Sequence, residues 1–131
     1  MFTRMLVLIL VGAAFGCAKV KESELPGFYI SSFKDIEEVL ELKDDGTYYH
    51  SFIDKELGLI EDRGEWKAVG FDEDPHVELE GYSSPPFPDS PFENKRKIRE
   101  NRGAVPEVSR IHSGKIRLTF DDDHRYFFKK L

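Results

Sequence analysis

From residue 27 onward the apolar positions recur every two residues, not every three or four. Leu40 and Leu42 fall on one face of their segment and Glu41 and Lys43 on the other, which is how a half-buried strand reads. The same alternation sets Tyr48, His50 and Phe52 against Tyr49, Ser51 and Ile53, and Trp66 and Ala68 against Glu65 and Lys67. It returns with Val77 and Leu79, is cleanest from Lys115 to Phe120, and closes with Tyr126 and Phe128. Segments 27–33 and 108–112 bring the strand candidates to about eight, a typical size for a small barrel. Turn chemistry separates them. Asp44-Asp45-Gly46 is a strong hairpin signal, because Gly46 tolerates positive φ and the Asp side chains satisfy turn N–H groups. Asp54–Gly58, Gly70–Pro75, Ser113-Gly114 and Asp121–Asp123 read as further turns, and Gly64 as a bulge within 59–69. The pattern predicts an all-β fold: an antiparallel meander of about eight strands, forming a small barrel or half-barrel. The side chains assigned inward are Phe28, Ile30, Leu40, Leu42, Phe52, Trp66, Leu79, Ile116, Leu118, Phe120, Tyr126 and Phe128. Residues of that bulk are expected to fill a small barrel rather than leave a cavity.

The first residues follow a different rule. Arg4 is the only charge before Lys19, and Met5 to Phe15 form an uninterrupted apolar run. As a helix that run rises about 16 Å, roughly half the hydrocarbon thickness of a bilayer, so it reads as a signal helix and not as a span. Its end, Ala13-Ala14-Phe15-Gly16-Cys17, resembles the lipobox of bacterial lipoproteins, with Ala14 where Leu is commoner. The resemblance implies cleavage before Cys17, a diacylglycerol on its sulfur and an acyl chain such as palmitate on the new amine. Two or three chains anchor stably where one does not. Ala18, rather than Asp, after the cysteine implies the periplasmic face of the outer membrane as the destination. The expected organisation is a signal peptide over 1–16, a lipidated tether over 17–25 and one β domain over 26–131. Cys17 is the only cysteine, so no disulfide is expected in the domain.

Within that domain, Gly27-x-Tyr29, Leu40-x-Leu42-Lys43-Asp44-Asp45-Gly46-Thr47-Tyr48, Gly64-Glu65-Trp66 and Val77-Glu78-Leu79 follow in order. This arrangement resembles the small lipocalin-like domains of bacterial lipoproteins, over roughly residues 26–81. The resemblance implies a β-barrel and fixes no ligand.

The regular pattern stops at Gly81. Residues 82–92 hold four of the seven prolines, which no strand ladder tolerates. Residues 93–102 carry five basic and two acidic side chains in a chain of net charge −6. A connection over 82–104 that is long, proline-rich and inverted in charge is a candidate interaction loop. Phe87 and Phe92 would be its aromatic anchors, and Lys95, Arg96, Lys97, Arg99 and Arg102 its electropositive flank. The acidic balance of the whole chain argues against nucleic acid as a partner, and against docking on anionic lipid through the protein itself.

His50, His76, His112 and His124 lie near Asp72, Asp74 and Asp121–Asp123, but no pair has the short spacing of a zinc site, and no metal or cofactor is expected. No G-x-S-x-G, H-E-x-x-H or comparable catalytic motif is present, and no catalytic residue is assigned. The expectation is a non-enzymatic binding or protein-interaction module anchored in the envelope by lipid. The alternatives are a carrier of a small apolar ligand inside the barrel, and an inhibitor or immunity-type lipoprotein.

Overall fold

A computed structural model describes residues 19–33, 36–83, 103–123 and 125–131. Eight strands follow one another in sequence and in space: β1 (Gly27–Phe33), β2 (Ile36–Leu42), β3 (Thr47–Asp54), β4 (Gly58–Val69), β5 (His76–Leu79), β6 (Glu107–Arg110), β7 (Ile116–Asp121) and β8 (Tyr126–Lys130). Each pairs antiparallel with the next, and β8 returns to β1, so the sheet is a closed barrel rather than a half-barrel. Closure leaves no free sheet edge.

The hairpins form where the turn residues require them. Gly46 has φ +84°, and the Asp45 carboxylate accepts hydrogen bonds from the Thr47 N–H at 2.9 Å and hydroxyl at 2.6 Å. Gly64 makes no bulge. The β3–β4 register runs unbroken through Tyr48↔Gly64, and the glycine is there for space: a Cβ would collide with the Glu80 carbonyl and crowd the Tyr48 ring. The register shift lies instead in the β7–β8 hairpin, between Thr119 and Asp121. The weak strand expected over 108–112 is β6, displaced towards its N-terminus, and 111–115 form the turn, with the Gly114 N–H donating to the Ile111 carbonyl.

The alternation assigned the inward faces of most strands correctly and that of β1 in the wrong phase. Tyr29, Ser31 and Phe33 point inward, whereas Phe28 is 51% and Ile30 37% exposed. The core holds Tyr29, Leu40, Leu42, Tyr48, Leu79, Leu118, Tyr126 and Phe128, with Trp66 and Phe120 partly buried against it. One mouth is stoppered by the N-terminal segment. Glu22–Glu24 form a 3-10 turn and Leu25 is fully buried, its carbonyl accepting from the Tyr29 hydroxyl at 2.6 Å. Arg110 holds Glu24 through a two-oxygen contact at 2.8 and 3.0 Å, and Lys130 donates to the Glu24 carbonyl. The stretch read as tether is therefore partly structured.

Cys17 and the signal segment lie outside the described residues, as do Phe87, Phe92, Lys95, Arg96, Lys97, Arg99, Arg102 and His124. Regular pairing ends at Leu79, as the break at Gly81 implies, and at the ends of the expected loop Tyr82 and Ser83 are buried outside any strand while Ala104 bridges Leu79. Among the described residues no helix is long and apolar enough to cross a membrane.

Candidate functional site

Polar residues interrupt the inward face on three successive strands: Glu38 on β2, His50 on β3 and Asp62 on β4. Strand alternation puts each in phase with its apolar neighbours, and sheet stagger brings them together inside the barrel. His50 is fully buried between the two acids, with Nδ1 2.9 Å from Asp62 Oδ2 and Nε2 2.8 Å from Glu38 Oε1. The Tyr126 hydroxyl donates to the same Glu38 oxygen at 2.8 Å and stands 2.5 Å from the Tyr82 hydroxyl. The Ser83 N–H donates to Asp62 Oδ2 at 2.9 Å. One hydrogen-bonded chain thus ties β2, β3, β4, β8 and residues 82–83. Aromatic rings enclose it: Tyr82 stacks on His50 at 4.4 Å between centroids, and Phe120 stacks on Tyr82 at 4.9 Å.

The environment pushes these groups apart. Burial opposes charge on His50, but the hydrogen bonds to Asp62 and Glu38 outweigh it and raise its pKa. Burial raises Glu38 above the usual carboxylate range despite its contacts with His50 and Tyr126. Asp62 also feels burial, yet the donors His50 and Ser83 hold it below that range. These directions favour the proton on His50 and on Glu38 and disfavour it on Asp62. Glu38 Oε2 and Ser31 Oγ, on residues directly opposed across β1 and β2, lack hydrogen-bond partners in the described structure. With both ring nitrogens engaged and the ring fully buried, the cluster as arranged cross-links strands.

The outer surface carries the second feature. A groove of about 670 Å³ runs along β1 and β8. Its floor is apolar, with Ile30, Phe127 and the 71% exposed Leu131, and its rim is basic, with Lys115, Arg125 and Lys129. Arg117 and Lys129 sit over the Phe127 ring at 5.2 and 5.6 Å. Lys115, Arg125 and Lys129 form no ion pair among the described residues. Sequence reasoning missed this face because β1 was read in the opposite phase, which hid Phe28 and Ile30 in the core.

The three described histidines do not converge. His50 is in the internal cluster, His76 Nδ1 contacts the Asp74 carbonyl at 2.8 Å, and His112 is on an exposed turn. Among the described residues no three His, Cys, Asp or Glu side chains form a group that could hold a metal ion.

No family model, curated protein or solved structure matches the chain.

Proposed function

We propose that this chain is an envelope lipoprotein, anchored through Cys17, whose barrel is a non-enzymatic binding module that engages its partner on its outer surface. The observation that carries this reading is the filled interior. Tyr29, Tyr48, Phe52, Tyr126 and Phe128 are at most 2% exposed, and the Glu38–His50–Asp62 cluster occupies the space beside them. An apolar cargo would have to displace aromatic packing and lie against buried charge, which is costly on both counts. That favours the interaction reading over the carrier reading.

Recognition then falls to the exterior, where the β1–β8 groove is the described candidate, with the loop expected over 82–104 as the second. The test is native mass spectrometry of residues 19–131, which contain every strand and core residue of the barrel, purified from an envelope extract. The expected result is a mass free of small apolar ligand. A stoichiometric adduct that is lost on denaturation would overturn the outer-surface reading in favour of a carrier. Anchoring is tested separately. Labelled palmitate is expected in the full chain and absent from Cys17→Ser, and equal labelling of the two would remove the anchor from the proposal.

A further inference from the structure

The β1–β8 face sets three cations beside exposed apolar side chains, with Glu37 and Glu41 of β2 across from Ser32 and Phe28. We infer that this face is a docking surface for an anionic glycerophospholipid in a bilayer leaflet. The inference rests on the outer-surface reading above and names the partner of that groove.

Three observations carry it. The first is charge complementarity. Lys115, Arg125 and Lys129 line the groove without ion-pair partners among the described residues, in a chain of net charge −6. Unpaired cations on one face of an acidic body attract an anionic surface. The second is amphipathicity. Ile30, Phe127 and Leu131 lie between those cations, and Phe28 is exposed on the same outward phase of β1. A phosphate-bearing head satisfies the rim while acyl carbons cover the floor, a combination that a soluble anion does not supply. The third is the backbone of Arg125. It is the only non-glycine described residue with positive φ, at +55°. Glycine would hold that turn without strain, so a charged side chain is retained there against a local cost. Position agrees with these. The described N-terminal segment enters β1 at Gly27, and Ile30 of the same strand lines the groove.

The experiment is co-sedimentation of residues 19–131 with vesicles of phosphatidylethanolamine, with and without phosphatidylglycerol. Because the anchor is absent, the result does not depend on lipidation. Because the vesicle readout is separate from the native mass, an empty barrel that ignores vesicles sinks this inference and leaves the outer-surface reading standing. Expected is binding only to the vesicles containing phosphatidylglycerol, weakened by salt. Lys115→Gln with Lys129→Gln is expected to weaken it roughly twentyfold to thirtyfold, at about fivefold per cation removed. Arg125→Gly separates binding from folding: it is expected to raise the urea midpoint and lower vesicle affinity together. Equal binding to both vesicle types, or affinity unchanged in these variants, overturns the inference. Binding that survives them but is lost in Leu57→Asp/Leu59→Asp also overturns it, by moving the contact to the exposed β3–β4 tip. Retention of inorganic phosphate without vesicle binding overturns it as well, because it would make the groove an anion site only.

Discussion

At the scale of single residues the barrel depends on two positions with little tolerance. Gly64 lies where β4 passes the Glu80 carbonyl and the Tyr48 ring, whose hydroxyl donates to that same carbonyl. Gly64→Ala forces one of them to move, and a loss of about 1–3 kcal/mol, the usual cost of overpacking, is expected in urea unfolding. His50 is the other. Removing it leaves Glu38 and Asp62 facing each other without a cation, so His50→Ala is expected to cost about 3–5 kcal/mol at pH 7. The penalty should shrink at pH 4, where the carboxylates take up protons. Urea midpoints at the two pH values check both statements, and an equal loss at each would mean the site is only a cavity.

At the scale of elements, the Glu38–His50–Asp62 cluster makes stability depend on pH in a definite direction. His50 has its pKa raised by folding, so its contribution is complete below about 6.5 and is lost as pH climbs through the folded value. Asp62 has its pKa lowered, so its contribution is present above about 3.9 and is lost as pH falls through the folded value. Glu38, raised, resists ionisation and works against the fold as pH rises from about 4.3. The three together place maximal stability near pH 4, with a further loss as pH climbs above about 6.5. The midpoint of the wild-type chain is expected to fall between pH 6 and 8.5, and that of His50→Gln to stay flatter. Because Asp62 also accepts from the Ser83 N–H, protection of that amide in hydrogen exchange should fall over the same range.

Much of this element level was legible. All eight strands were placed by alternation and turn chemistry close to where they lie, because half-buried strands must show a period of two. The β1 phase was not legible, because Gly27–Phe33 has large side chains on both faces. Phe28 and Ile30 outrank Tyr29 and Ser31 in hydropathy, but Tyr29 is drawn inward by the Leu25 carbonyl, a contact no local pattern encodes. The internal cluster left a signal that was overlooked: Glu38, His50 and Asp62 each occupy an inward position of a successive strand. A polar residue in apolar phase three times running implies that they meet.

At the scale of the whole molecule, net charge misled about surfaces. A total of −6 argued against contact with anionic lipid, yet the sum does not describe the β1–β8 face, where Lys115, Arg125 and Lys129 stand together while Glu37 and Glu41 lie on β2. Averages over a chain predict solubility better than they predict a docking face. Two attachments then act together. The anchor proposed at Cys17 sets the distance from the membrane, and the groove sets the orientation. Full-length chain bearing Lys115→Gln/Lys129→Gln is expected to stay in the membrane fraction but to gain protease accessibility on β8, and release from the membrane would assign anchoring to the groove.

Barrel closure also governs how the molecule is made. The seam joins β1 to β8 through the pairs Tyr29↔Lys130 and Ile30↔Lys129, contacts about as distant in sequence as this chain permits. Synthesis delivers β1 first and β8 last, so seven strands wait with two open edges until the final hairpin docks. Closing so long a loop is slow relative to forming the neighbouring hairpins. A nascent chain stalled before Tyr126 is therefore the aggregation-prone species, whereas the finished one is protected. Chaperone demand should concentrate in the interval before β8 emerges.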